Sequence, residues 1–308
     1  MAGKVDYQNR KNLLLYLLDF GSATKLELVQ KTKLSSTTVS DTVNSLLKKG
    51  FLNIVGMNPS IGGRPSAIYS INKEYGQFIG LDIRQNQIKA SLCDASGHKI
   101  RFMSIECLSN ELSIMMLYRA LEQMMKLVEA RRILAVGIGI NATIDYQAQM
   151  VESSQDMGWY NVPLKELVER QFYLPTYIDN TINGQVPYRK YCEGENCPRH
   201  FMAVQEEFEG KATICLDGRI CRGKGNLCGR IPGFEHILQS SEEAIQMLGL
   251  EMVWIACSTD AQLEKLKQEI HGSFVGHIHP YHADPSELAW GMALEAETKW
   301  FGSIYFNL

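Results

Sequence analysis

The stretch LSSTTVSDTVNSLLKKGFLNIVG, residues 34–56, decides how the N-terminal part of the chain folds. Val39, Val43, Leu46 and Leu47 recur at helical spacing, so a helix over 36–49 turns them to a core. Ser35 and Ser36 are residues that cap such a helix, and Gly50 ends it. The opposite face carries Thr37, Thr38, Ser40, Asp41, Asn44 and Lys48. These are short hydrogen-bonding groups near the helix start and a cation at its end. A helix that enters the major groove of duplex DNA by its N-terminal end needs that set near base edges and phosphates. Asp41 fits least well, because a carboxylate repels phosphate unless a cytosine amino group or an arginine donates to it.

The flanks agree with this reading. Upstream, Thr24-Lys-Leu-Glu27 is a capping box that opens a short helix 25–31 carrying Leu26, Leu28 and Val29. Before it, Leu13, Leu14, Leu17 and Leu18 form the apolar stripe of a helix over 8–19, which Gly21 stops. Downstream, FLNIV and IYSI flank the loop GMNPSIGGRPSA, which predicts a β-hairpin wing. Arg64 sits at its tip beside Gly62 and Gly63, suited to minor-groove insertion or a phosphate clamp. Residues 1–72 therefore read as a winged helix-turn-helix DNA-binding domain, with a protein-interaction winged helix as the alternative. Charge favours DNA: residues 1–72 hold nine Lys/Arg against four acids, which leaves 22 against 30 in the remainder of a chain of net charge -3.

The whole chain has 308 residues, 45% hydrophobic and 21% charged, an ordinary composition with room for two or three domains. No apolar run reaches the length of a membrane helix, and MAGKVDYQNR lacks the apolar segment of a signal peptide. Both point to a cytoplasmic protein with no membrane partner, and eight cysteines without a small-domain framework suit free thiols there. Residues 73–308 alternate strands and helices. FIGLDIRQNQIKASLC reads as a strand, a turn and a strand, and KIRFMSIEC as a third strand after the D-A-S-G turn at 94–97. A helix over 111–129 has Leu112, Met115, Met116, Ala120, Leu121 and Met124 as its buried stripe, and ILAVGIGI at 133–140 reads as a strand covered on both faces. VPLKELVERQF and residues 287–300 read as helices, while PTYIDN, HFMAVQEEF, KATICLDGRI and VWIACS read as strands. The class is α/β with hairpin-rich sheets.

In order along the chain, LSSTTVSDTVNSLLKKGFLNIVG, GGRPSAIYSIN, GLDIRQNQIKASLCDASG, AVGIGINATID, MGWYNVPLKELVERQFYLPTYIDNTING and LDGRICRGKGNLCG resemble the ROK family of repressors, open reading frames and sugar kinases, in its repressor branch. The resemblance covers about residues 8–235 and is poor beyond. It implies a winged helix followed by a two-lobed, actin-like, sugar-kinase-like (ribonuclease H-like) domain, shortened at the C-terminus, for sensing and oligomerisation. It also implies a dimer or tetramer on a two-fold symmetric operator, relieved by a sugar, sugar acid, phosphosugar or partner protein.

The chemistry of that family is eroded here. Its first phosphate loop places glycines and a threonine after the residue matching Asp82, where this chain has Arg84, Gln85 and Asn86. Its second, a GTG-type turn, matches Gln205–Gly210, with Glu206, Glu207 and Glu209 where phosphates would lie. The catalytic aspartate matches Thr181, whose hydroxyl is no general base at neutral pH, next to a retained Asn180. The sugar-gripping glutamate matches Arg230, and an asparagine matches Asp156. These four, Asp156, Asn180, Thr181 and Arg230, are the candidate ligand residues; ATP binding, kinase activity and a cofactor are not expected.

The zinc-site histidine of the family matches Gly233 and no C-x-C run follows, so no metal is expected. Cys192, Cys197 and His200, or Cys221, Cys228 and His236, are weak substitutes without a tight knuckle, and HGSFVGHIHPYH at 271–282 reads as a loop, or, if extended, as an HxHxxH set that could chelate a divalent ion. After Gly229 the second lobe is expected to close with fewer elements over a shallow or occluded cleft. The reading is a repressor of carbohydrate-utilisation genes with an inactive body. The alternatives are a regulator that answers to a protein or another metabolite, a sugar kinase, and a scaffold that binds no DNA.

Overall fold

In a computed structural model of the chain, residues 2–59, 65–106, 114–127, 132–207, 211–223 and 228–303 are described. The head comprises α1 (Ala2–Phe20), β1 (Ser22–Thr24), α2 (Lys25–Thr32), α3 (Ser36–Lys48), β2 (Leu52–Asn58) and β3 (Ser66–Ile71). Both predicted caps form. Thr24 Oγ1 accepts from the Glu27 N–H at 3.3 Å while Glu27 accepts from the Thr24 N–H at 2.7 Å, and Ser35 Oγ accepts from the Thr38 N–H at 3.1 Å. The wing strands pair antiparallel from Leu52 opposite Ile71 to Asn58 opposite Ser66, and β1 adds to the other edge of β3. Arg64, at the predicted tip, lies outside the described residues. Leu13, Leu14, Leu17, Leu28, Val39, Val43 and Leu46 are buried together. Leu26, read with the core of its helix, is instead 66% exposed.

The first lobe comprises β4 (Gln77–Arg84), β5 (Gln87–Asp94), β6 (Lys99–Glu106), α4 (Ile114–Lys126), β7 (Ile133–Ile140), β8 (Thr143–Asp145), β9 (Met150–Ser154), β10 (Trp159–Val162), α5 (Leu164–Phe172) and β11 (Thr176–Asn180). Its sheet runs β11-β7-β4-β5-β6, with β4, β7 and β11 parallel and the β4-β5-β6 meander antiparallel. Every residue of β7 is buried, which explains its unbroken apolar run. On α4 the buried stripe is Leu117, Ala120, Leu121 and Met124, whereas Met115 is 58% exposed; Leu112 lies outside the described residues. The short strands β8, β9 and β10 form a separate sheet.

The second lobe comprises α6 (Gln185–Glu193), β12 (Phe201–Gln205), β13 (Ala212–Leu216), β14 (Arg219–Ile220), α7 (Ile237–Leu248), β15 (Met252–Cys257), α8 (Asp260–Glu269), β16 (Ile278–His282) and α9 (Glu287–Ser303). Its sheet order, β14-β13-β12-β15-β16, repeats that of the first lobe with the same senses. The histidine-rich segment read as a loop supplies β16, because Ile278 takes a core position beside Val253.

Helix α9 crosses back to the first lobe. An added Cβ at Gly80 of β4 would stand 1.9 Å from the Ala289 carbonyl oxygen, and one at Gly137 of β7 would stand 1.9 Å from that of Met292. Only glycine allows helix and sheet to lie this close. The far end of α9 meets the head. Phe301 is buried with Leu13, Phe51 and Phe78, and the Tyr7 hydroxyl donates to the Gly302 carbonyl at 2.5 Å. One apolar cluster therefore runs from the head into the first lobe.

Candidate functional site

The exposed stripe of α3 is Thr37, Asp41, Asn44 and Lys48, at successive helical turns. Thr38 and Ser40 are half-buried. Thr38 closes the cap with Ser35, their hydroxyls 2.8 Å apart. Ser40 accepts from the Lys25 ammonium at 3.0 Å, and Asn44 accepts from it at 3.3 Å. Lys25 is a cation that the sequence reading missed. It belongs to α2, and only the α2–α3 crossing brings it to this face.

The second site is the cleft between the lobes, where the ends of β4 and β11 face the segment after β12. Asp82 is fully buried and accepts from the Thr181 hydroxyl at 2.9 Å and from Arg84 Nε at 2.8 Å. Arg84 also donates to Glu207 of the second lobe. The guanidinium thus stands between two carboxylates, one from each lobe. Glu209 lies outside the described residues.

Two further contacts join the lobes. Lys211 donates to Asn141 Oδ1, and Asn141 Nδ2 donates to Asp156 at 2.8 Å. Arg222 donates twice to Asp179 Oδ2, at 3.1 and 2.5 Å, with its guanidinium 4.0 Å from the Tyr146 ring centroid. Arg222 was not among the candidates, although Asp179 precedes Asn180 and the C-R-G turn presents an arginine.

Of the four candidate ligand residues, Asn180 and Arg230 line one cavity of about 30 Å³ with Asn183 and Lys211. Thr181 turns to Asp82, and Asp156 is tied to Lys211 through Asn141. Asn180 Oδ1 accepts from the Ala142 N–H at 3.3 Å, so part of its capacity serves the fold. Lys211 and Arg230 are directly paired residues of an antiparallel bridge. Burial, and then the Arg230 charge, lower the Lys211 ammonium below its ordinary value. The Asp156 carboxylate acts on Lys211 in the opposite sense, so the pair already faces one anion.

A model of the family described as the ROK family matches residues 78–231, half of the 308. The chain belongs to the ROK family. Over 228 residues it is 25% identical to the xylose repressor of Caldicellulosiruptor bescii and 29% identical to its counterpart in Caldicellulosiruptor sp. strain Rt8B.4. Each match covers 72% of this chain and 57% of the relative, so little more than half of each relative is matched. A crystal structure of a ROK family transcriptional regulator, homologue of the E. coli MLC protein, superposes with a TM-score of 0.68 at 13% identity, covering 96% of this chain and 98% of that one. A ROK family glucokinase from Streptomyces griseus, crystallised with glucose and AMPPNP, superposes at 0.58 and 14% identity, covering 72% and 99%. At these identities the superpositions establish the two-lobed fold alone.

The remaining sequence motifs of this ROK protein go to separate places. Among the described residues no group of three or more His, Cys, Asp and Glu is arranged to hold a metal. Cys221 and Cys228 approach to 3.2 Å, without His236. His277, His279 and His282 have separate partners: the Glu251 carbonyl at 2.9 Å, the Gly276 carbonyl at 2.8 Å and the Asp260 carboxylate at 2.5 Å. No helix among the described residues is long and apolar enough to cross a membrane.

Proposed function

We propose that this ROK protein is a DNA-binding transcriptional regulator, a repressor of carbohydrate-utilisation genes, whose body has lost kinase chemistry. The observation that carries this reading is the exposed stripe Thr37, Asp41, Asn44 and Lys48 on a capped helix beside an antiparallel wing. Similarity to xylose repressors supports the same class of target genes. One head covers few base pairs, so the functional unit is a homodimer or tetramer on a two-fold symmetric operator. Gel shifts against genomic fragments at low salt test it, and retention of no fragment defeats it. Lys48→Ala should weaken all sequences alike and reduce the salt slope by about one. Arg64→Ala should weaken binding most at A·T-rich flanks of the site.

The effector is proposed to enter between Asn180 and Arg230, and the Lys211–Arg230 pair favours a sugar acid or phosphosugar. A second reading has its own support. A cavity of about 30 Å³ holds about one water, and three cation-centred contacts bridge its lobes. In that reading the cleft is sealed, and the body answers to a protein or another metabolite. A thermal-shift screen of neutral sugars, sugar acids and phosphosugars separates the two, with hits retested on Arg230→Glu. Anionic hits lost in that variant support the cleft, and a screen without hits supports the seal.

A further inference from the structure

A cavity of about 350 Å³ lies not in the cleft but where the head meets the body. That volume lies in the range of small-molecule sites. Leu18 and Asp19, at the end of α1, form one wall. The other walls are α6 with Lys190 and Tyr191, the β13–β14 turn with Arg219, and α9 with Glu297.

Its charged groups are unevenly matched. Arg222 and Glu295, also in the lining, are spent on each other, on Asp179 and on Lys299. Lys190 and Arg219 make no ion pair among the described residues. Lys190 Nζ lies beside Gly218, the residue before Arg219, and both cations line the cavity. Burial raises the Asp19 carboxyl above its ordinary value, and the Lys190 charge opposes that rise without an ion-pair contact. Glu297 is 3% exposed, and its Oε1 has no hydrogen-bond partner. Burial, reinforced by Asp94, favours its protonated form, which leaves an O–H to donate.

We propose that this cavity is a binding site for a small hydroxylated anion, held by Lys190 and Arg219 and by Glu297 on the α9 wall. Two cations select a carboxylate or phosphate. The Glu297 carboxyl and the Tyr191 hydroxyl serve the ligand's hydroxyl groups. A bound anion competes with Asp19 for Lys190, so occupancy loosens an attraction between head and body. The site is separate from the cleft and stands whether or not the head binds DNA. A consequence for DNA affinity rests on the regulator reading.

The test is calorimetric titration of the full chain, without DNA, with gluconate and glycerol 3-phosphate, using sorbitol and inorganic phosphate as controls. Saturable binding of gluconate or glycerol 3-phosphate, but not sorbitol, is expected. The two arms separate a carboxylate from a phosphate ligand. Lys190→Gln and Arg219→Gln should each weaken it about tenfold, the scale of one charged hydrogen bond. Asp19→Asn should tighten it several-fold by removing the competitor, a change that no merely structural role predicts. An Arg230→Glu background removes the anion site proposed for the cleft, so the saturable binding that remains in it reports this cavity alone. The proposal falls if neither anion binds in that background, if binding there survives Lys190→Gln undiminished, or if Asp19→Asn weakens it. Circular dichroism of each variant checks that it is folded, and Asp19, exposed at a helix end, tolerates replacement most readily.

Discussion

Arg84 and Glu207 are bonded across the cleft while Arg84 also holds Asp82, so one guanidinium ties the lobes together at the end of β4. A nucleotide there must displace the partly exposed Arg84–Glu207 ion pair and meet the freed Glu207 and the nearby Glu287, which line the same 160 Å³ cavity. ATP at millimolar concentration should give no saturable heat in titration calorimetry. A clean isotherm would mean that the Arg84 contact opens readily.

The head begins α2 with a reciprocal cap, and its strength depends on pH. Glu27 is held below the ordinary glutamate value first by the Thr24 N–H and then by the Thr24 hydroxyl. A carboxylate lowered on folding stabilises the fold above its unfolded value of 4.5, and that contribution is lost as pH falls through the lower folded value. Thr24→Ala should cost about 1 kcal/mol at neutral pH. Glu27→Gln should remove the acid-sensitive part, so thermal melts of that variant across the carboxylate range should be flatter than those of the parent.

Gly80 and Gly137 admit α9 at distances no side chain tolerates. Gly80→Ala and Gly137→Ala should each cost about 3 kcal/mol or more, because the obstacle is a backbone carbonyl rather than a mobile side chain. Urea unfolding with a midpoint equal to the parent's would show that α9 lies farther from the sheet.

The apolar cluster shared by Leu13, Phe51, Phe78 and Phe301 predicts that head and first lobe unfold together. Scanning calorimetry should give no separate early transition for the head. Phe301→Ala should cost about 3–5 kcal/mol and release the head to melt first. An early head transition in the parent would refute this coupling.

The local parts of this architecture were legible in the sequence. Caps, helix stripes and the β7 run are set by neighbours within a turn or two, and Thr24, Ser35 and residues 133–140 behave as their patterns predict. Positions fixed by distant partners were not. Leu26 and Met115 have helical spacing but face no neighbouring layer, and β16 exists because Val253 and Trp254 lie beside it. The site divides in the same way. That Thr181 offers a hydroxyl and no carboxylate, and that Arg84 follows two residues after Asp82, is read from the sequence itself. Lys25, Arg222 and the cavity beside Asp19 arise only where separate elements cross.

The passage of α9 over Gly80 and Gly137 also bears on how the chain is made. Domains commonly fold as they leave the ribosome, N-terminal parts first. Here the sheet of the first lobe is covered by a helix roughly two hundred residues downstream, a costly separation to close. During synthesis the first lobe therefore waits with an apolar face uncovered until α9 emerges. A stalled or truncated product lacking Glu287–Ser303 is the form in which chaperones should meet this protein.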